Sequence, residues 1–394
     1  MDIQTILERY NPWWYKKYDS IGIKRNIYLK LLEENLKNKQ TIFITGLRRV
    51  GKTTLIKQFI TRLIERGIDA EKIFFAPFDD PSLSSIKIDE LVDEFRKLNS
   101  LKFEEKIYLF FDEISYKDNF SQELKVLHDN QNVKIYASGS NSLKLMDTKA
   151  FLTGRTFTIR IEPLNFEEFL EFNKIKISPL DKQLKDKYFE EYLKMGGMPE
   201  YVLTKNPEFL SSLVEDIIYK DIARTFKIKN VNKLREVFIL LCERVGKRLT
   251  YNKLSEVLQM DNETTEEYVS YFQKTFLFNI VQRYSKSLNE RVKSPKKIYI
   301  ADNGIRNIFV GYKDKGSLFE NYVLNEILKK FKEIFYYYEN NHEIDFIVKK
   351  NLKEEIAIEV KFNEETKDIN FFEQSPFKNK ILIRNYEDLL KLRG

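Results

Sequence analysis

The 394-residue chain contains one cysteine and two histidines. Cys242 has no partner for an intrachain disulfide and cannot build a cysteine-rich zinc site. With only His128 and His342, a three-histidine zinc centre is excluded, and a Ser-His-Asp triad has little to be built from. No apolar run approaches the ~18 residues of a membrane-spanning helix. The opening stretch MDIQTILERYNPWWYKKYDS lacks the apolar core of a secretory signal. A cytoplasmic location without membrane association is expected. Internal repeats and low-complexity linkers are also lacking.

Carboxylates, lysines, arginines and hydroxyls are plentiful, and these suit magnesium and phosphate chemistry. Lys and Arg number 67 against 60 Asp and Glu, a net charge of +7. A polyanion-binding protein would show that balance, and so would a uniformly lysine-rich one. With 42% hydrophobic and 32% charged residues the chain reads as globular. At about 100–200 residues per domain its length allows two to four domains.

Between about Ile42 and Pro163, short apolar runs (42–46, 73–78, 107–113, 133–140 and 157–164) alternate with amphipathic segments (53–67, 89–100 and 120–130). Nearly continuous apolar runs of this length fit strands buried on both faces of a parallel sheet, and the alternation predicts an α/β core. From Asn165 to about Asn230 helical spacing dominates, broken by Gly196-Gly197-Met198-Pro199. Residues 233–285 then read as three short helices and a strand, a helix–turn–helix followed by a wing. Its third helix offers Asn262, Thr264, Thr265, Glu266, Glu267 and Tyr268 to a partner, and adjacent glutamates suit a phosphate backbone poorly. Arg248, Lys253, Arg283 and Lys286 flank it. Beyond Pro295 an α+β unit is expected, with strands near 296–301, 333–338, 343–349 and 355–362 and a helix at 317–332. The predicted division is 1–163, 164–230, 231–290 and 291–394.

Gly46-Leu47-Arg48-Arg49-Val50-Gly51-Lys52-Thr53 fits G-x-x-x-x-G-K-[ST] between a predicted strand and a predicted helix. The glycines let successive N–H groups face a phosphate, and the helix start adds positive partial charge. Lys52 is assigned to the β- and γ-phosphates of ATP, Thr53 to Mg²⁺, and Thr54 to the α-phosphate. The run Ile107–Phe111 ends in Asp112-Glu113, acids at the carboxyl end of a strand, where α/β sheets bind ligands. Asp112 is expected to hold the Mg²⁺ shell and Glu113 to orient or deprotonate the attacking water. Arg155 is the candidate charge that completes the site, as an arginine finger in cis or on a neighbour, or else a salt-bridging residue.

In the last hundred residues, period-two alternation puts Glu359 and Lys361 on one face of A-I-E-V-K-F, and Asp345 opposite Ile344 and Phe346 in E-I-D-F-I-V. Any half-exposed hairpin alternates in this way. The pattern also resembles the PD-(D/E)xK nuclease core, which implies that Asp345 and Glu359 bind Mg²⁺, that Lys361 acts on the reacting oxygens, and that Glu320 is the helical acid. His342, three residues before Asp345, is a further neighbour, for the site or for packing.

Taken in order, GLRRVGKTT, IYLFFDE, ASGSNS, LTGR…EPLNFEEFL, YLKMGGMPEYV, DIIYKDIART, PKKIYIADNGIRN, GSLFENYVLNEI, EIDFIV and IEVKF resemble the archaeal and bacterial AAA+-like ATPases with a C-terminal PD-(D/E)xK nuclease-like domain. The resemblance implies an α/β P-loop core with a helical lid, a winged-helix module and a restriction-endonuclease-like α+β domain. It further implies a γ-phosphate sensor at Ser140 or Asn141, Pro199 near the adenine (or simply breaking a helix), and Arg224 near the phosphates. The expected function is ATP hydrolysis coupled to nucleic-acid binding or processing, DNA rather than RNA, with Mg²⁺-dependent cleavage open. The alternatives are a nucleotide-controlled switch and a mobile-element or defence module whose nuclease-like domain does not cut. A homo-oligomer is compatible with either.

Overall fold

The computed structural model describes residues 2–19, 22–140, 154–178, 180–350, 354–363 and 369–392. The chain divides into two compact units, 1–162 and 163–394.

In the first unit, α1 (Ile3–Tyr10) and α2 (Asn26–Glu34) precede β1 (Thr41–Gly46), α3 (Lys52–Glu65), β2 (Ile73–Pro77), α4 (Pro81–Ser84), α5 (Ile88–Leu98), β3 (Ile107–Asp112), α6 (Phe120–Asn130), β4 (Val133–Gly139) and β5 (Thr156–Ile161). The five strands form one parallel sheet in the order β2-β3-β4-β1-β5. β4 therefore lies between the strand that feeds the glycine loop and the strand that ends in Asp112. All three carry their carboxyl ends to the same edge.

The sheet is anchored from behind by α3, whose Leu55, Ile56, Phe59, Ile60 and Leu63 are buried at helical spacing. Phe59 meets Phe110 and Tyr136 edge-on, and those two rings stack at 5.0 Å. Each such ring contributes about 1.5–3 kcal/mol of burial. The edge strand β2 is closed by side chains. Asn11 exchanges two hydrogen bonds with the Phe75 backbone, at 2.7 and 3.0 Å. The indole N–H groups of Trp13 and Trp14 donate to the Ile73 carbonyl at 3.1 and 2.9 Å. These bonds occupy backbone groups that would otherwise pair with another chain.

The second unit begins with helices Phe166–Phe172, Lys182–Met195, Pro199–Thr204 and Glu208–Asp216, the last continuing as a π-helical run Ile217–Ala223. Then come helix Val231–Glu243, β6 (Arg248–Leu249), helices Tyr251–Leu258 and Asn262–Lys274, β7 (Phe278–Arg283) and β8 (Lys296–Ile300). Helices Asn303–Val310 and Lys315–Ile327 lead to β9 (Glu333–Glu339), β10 (His342–Lys349), β11 (Glu355–Val360) and β12 (Asn379–Ile383). One sheet runs through all seven strands in the order β12-β11-β10-β9-β7-β8-β6. This departs from the expected boundary near residue 290: β8 pairs antiparallel with β6 and β7, so it belongs to the three-helix segment before it. The join to the last strands is a short parallel pairing of β7 with β9. The expected helix 317–332 ends at Ile327.

The Gly196-Gly197 break is explained by close backbone approach. A Cβ on Gly197 would lie 2.1 Å from the Leu164 carbonyl oxygen, and one on Gly196, at φ +73°, 2.3 Å from the Asp302 carboxylate. Asp302 accepts the Gly197 N–H at 2.5 Å and caps helix Asn303–Val310 through the Ile305 N–H at 3.0 Å.

Candidate nucleotide site and acidic cluster

The glycine loop leaves β1 at Gly46, where φ is +143° and a Cβ would lie 2.2 Å from the Ile161 carbonyl oxygen. Only glycine fits there. Gly51, at φ +101°, turns the chain into α3. Lys52 is buried. Its ammonium donates to the Gly46 and Leu47 carbonyls, both at 3.1 Å, and lies 3.7 Å from Glu113 Oε1. The Thr53 hydroxyl donates to Asp112 Oδ2 at 2.6 Å. Asp112 Oδ1 accepts the Ser138 hydroxyl, and the same Ser138 oxygen accepts the Glu113 N–H at 3.0 Å. Glu113 Oε2 accepts both the N–H (3.3 Å) and the hydroxyl (3.1 Å) of Ser140. Burial, and next the adjacent Glu113, push the Asp112 carboxyl above its ordinary pKa.

Lys52, Thr53, Asp112 and Glu113 thus meet at the carboxyl edge of the sheet. The Thr53 hydroxyl and the Asp112 carboxylate are hard oxygen donors side by side. They suit Mg²⁺, which takes one or two protein ligands besides phosphate and water. Arg48 donates to the Tyr116 hydroxyl at 3.3 Å. Arg49 turns with φ +60° and Val50 is buried beneath the loop. Thr54 is exposed, and a Cβ on Gly22 would lie 3.2 Å from its methyl group, so the segment at Gly22 passes over the start of α3.

Ser138 was not singled out in the sequence, although alternation in A-S-G-S already puts it on the same face as Ser140. Asp79 also escaped notice: it follows β2, and burial and then Glu113 raise its pKa.

Arg155 requires a correction. It precedes β5, and its carbonyl accepts the N–H of Thr41 at the start of β1. That is the opposite end of the strand from Gly46, about 16 Å along a six-residue strand. Its guanidinium pairs instead with Asp129 at 3.0 Å, so a finger acting on its own chain's loop is ruled out by position. Asn141 lies outside the described residues. Pro199 opens helix Pro199–Thr204, and Arg224 is exposed at the end of the π-helical run.

In the second unit, Asp345 and Glu359 are neighbours across the antiparallel β10–β11 pair, at an irregularity in the β9–β10 register. Glu320 reaches them from helix Lys315–Ile327. The structure adds a residue that the sequence reading missed. The Lys297 ammonium, 1% exposed, lies 2.6 Å from Glu320 Oε1, 2.7 Å from Glu343 Oε1 and 3.1 Å from Asp345 Oδ1. Tyr299 donates to Glu320 Oε1 at 2.5 Å. Asp345 Oδ2 accepts the Val360 N–H at 3.0 Å, and Glu359 Oε2 the Asp345 N–H at 3.3 Å. Lys361 donates to Glu359 Oε1, and Arg248 lies 3.1 Å from Glu343 Oε2.

Burial, then Asp345, pushes the Glu320 and Glu359 carboxyls above their ordinary pKa, and the Lys297 ammonium beside Glu320 and the Lys361 ammonium beside Glu359 pull them back toward the charged form. Burial alone would discharge Lys297, but Glu320 and its other neighbours outweigh it and hold its pKa well above the usual value. Among the described residues no three His, Cys, Asp or Glu side chains stand so as to hold a metal ion. His342 is exposed and stacks on Phe371 at 4.8 Å.

The helix expected to face a partner turns part of that set inward. Thr265 and Tyr268 are buried, and its exposed side carries Glu263, Glu266 and Glu267.

Residues 38–170 match the family model of an AAA domain, so the first unit carries an AAA-type P-loop ATPase domain. Residues 186–316 and 315–393 match two domains of unknown function, DUF8612 and DUF4143. An uncharacterized protein of Haemophilus influenzae is 29% identical over 392 residues, covering 94% of this chain and 96% of its own. The uncharacterized protein MJ1544 of Methanocaldococcus jannaschii is 29% identical over 365 residues, covering 88% and 79%. Among solved structures, AMPPCP-bound DnaA from Aquifex aeolicus aligns over 65% of this chain and 89% of its own, with 17% identity and a TM-score of 0.29. A likeness of that size is too slight to say anything of function. No helix among the described residues is long and apolar enough to cross a membrane.

Proposed function

We propose that the protein is an ATP-hydrolysing switch that turns over Mg·ATP at Gly46–Thr54. The observation that carries this is the continuous network Thr53–Asp112–Ser138–Glu113–Ser140, with the Lys52 ammonium 3.7 Å from Glu113. In this reading Lys52 leaves the loop carbonyls for the β- and γ-phosphates, and Thr53 and Asp112 hold the magnesium shell. Mg²⁺, when bound, neutralises phosphate charge. Glu113 orients the attacking water and takes its proton. Ser140, now bonded to Glu113, is the sensor candidate at that strand end. The test is a pair of variants: Lys52→Ala should lose ATP binding, whereas Glu113→Gln should keep binding and lose turnover. Wild-type turnover in Glu113→Gln would remove Glu113 as the base.

A second reading, nucleic-acid binding, has its own support. The run helix–β6–helix–helix–β7–β8, with β8 between β6 and β7, supports a winged-helix reading of this segment. The connection between β7 and β8 exposes Lys286 and Lys293, with Arg291 half-buried beside them. The acidic side of helix Asn262–Lys274 disfavours base reading, so we assign contact with a DNA backbone to this wing. Binding should then weaken steeply with salt through counterion release. A gel-shift series with no complex at low salt would remove this reading. The helix Lys315–Ile327 with β9 to β12 supports a nuclease-like core architecture.

A further inference from the structure

We propose that Lys297 is the resident cation of the acidic cluster, and that the cluster is an ionic tie between β8, β10 and helix Lys315–Ile327, not a metal-dependent cleavage centre. An ammonium has three N–H donors, and Glu320, Glu343 and Asp345 supply an acceptor each within 3.1 Å. Glu320 takes the Tyr299 hydroxyl, Glu343 the Arg248 guanidinium, and Asp345 the Val360 N–H. Glu359 is committed to Lys361 and to the Asp345 backbone.

Four carboxylates therefore face three cations of the same chain, Lys297, Lys361 and Arg248. A divalent ion would have to enter beside a buried ammonium and be repelled by it. Mg²⁺ also keeps several waters and demands octahedral geometry, and the buried Lys297 side chain, 1% exposed, already takes up the inner faces of Glu320, Glu343 and Asp345. Displacing the lysine would strand an unpaired buried charge, which is strongly unfavourable. The residues present do not fit a bound magnesium ion. The tie instead joins the β8 end of the three-helix segment to the strands that follow. It is independent of ATP hydrolysis, and the experiment contains no nucleotide.

The test is Mn²⁺ titration of the full-length, nucleotide-free protein, with bound ion counted by electron paramagnetic resonance. Wild type, Asp345→Asn and Glu320→Gln should bind the same amount of Mn²⁺. Lys297→Met, which removes the ammonium and leaves the three acids together, should gain one bound ion per chain and a melting temperature that rises with added Mn²⁺. A Mn²⁺ ion held by wild type and lost in Asp345→Asn or Glu320→Gln overturns the proposal. So does a folded Lys297→Met that binds no more Mn²⁺ than wild type. Should Lys297→Met fail to fold even with Mn²⁺, the wild-type and carboxamide titrations decide alone.

Discussion

Lys52 and Lys297 are both buried lysines facing acids, and they are held in opposite ways. Lys52, the first residue of α3, rests on two carbonyls of the glycine loop at 3.1 Å and lies 3.7 Å from the Glu113 carboxylate. Its partners are neutral dipoles that it can exchange for a phosphate at little cost. Lys297 is on β8, paired on both sides by β7 and β6, and holds three carboxylates from two elements. Both ammonium groups make charge-assisted hydrogen bonds, but only those of Lys297 end on acids that would be left unpaired and buried if the lysine moved away. The first lysine is poised to meet a ligand. The second is already satisfied, and its charge is spent on holding the fold.

Exchanging each lysine for methionine should split these roles most widely. Lys297→Met leaves buried carboxylates without their cation, a loss of about 3–5 kcal/mol, seen as a large fall in denaturant midpoint. Lys52→Met gives up the hydrogen bonds from its ammonium to two backbone carbonyls, about 1.5–3 kcal/mol, but should abolish ATP binding in a nucleotide-displacement assay. Equal destabilisation by the two would break the comparison.

Within the nucleotide site the contrast is between a reacting acid and the group that positions it. Glu113→Gln should lower turnover about 10²–10⁴-fold, the usual contribution of a general base. Ser138 touches both Asp112 and the Glu113 backbone. Ser138→Ala removes a hydrogen bond to a charged group, about 1.5–3 kcal/mol, so turnover should fall about tenfold to a hundredfold with smaller change in ATP affinity. Rescue by Ser138→Thr would separate positioning from a packing defect.

These two sites were not equally legible in the sequence. The glycine loop and Asp112-Glu113 were, because their chemistry is written in consecutive residues at strand ends. Asp345, Glu359 and Lys361 were half legible, since a hairpin brings near neighbours together. Lys297 was hidden by distance: it precedes Asp345 by 48 positions, on a strand whose direct partners are β6 and β7. Yet the signal was present. Alternation in K-I-Y-I puts Lys297 and Tyr299 on one face, and in H-E-I-D-F it puts Glu343 beside Asp345. A lysine on the inward face of a strand asks for a buried acid. Asn11, Trp13 and Trp14 gave no such sign, because closing a sheet edge depends on where an extension returns in space.

Asp302 extends the comparison to a buried acid held by backbone N–H groups. Burial raises its pKa to about 6, against the N–H groups of Gly197, Ile305 and Gly304, which lower it. Between about pH 4 and pH 6 the folded chain therefore holds a proton that the unfolded chain has released. The stability linked to this group is full below the unfolded value and is lost as pH rises through 6. Asp302→Asn should flatten that part of the profile when subtracted from wild type. It should also cost about 1–3 kcal/mol, because its amide group turns a donor toward N–H groups that need an acceptor. An unchanged slope in urea unfolding between those pH values would remove Asp302 as the source.

The smallest effect is expected at Arg155, where position and charge point different ways. An arginine near the end of the first unit invites assignment to the phosphates, but this one stands at the amino end of the sheet, paired with Asp129, both more than one third exposed. Exposed pairs contribute about 0–1 kcal/mol, so Arg155→Ala should leave the melting curve almost unmoved. Its own loop lies a strand's length away, so turnover in a dilute, single-chain regime should also stay at the wild-type rate. The remaining route is action on a neighbouring chain, which predicts a different pattern. Turnover per chain would rise with protein concentration in wild type and not in Arg155→Ala. Mixing Arg155→Ala with Lys52→Ala, which keeps its arginine but binds no ATP, would restore turnover. Flat concentration dependence in both proteins assigns Arg155 to the ion pair alone.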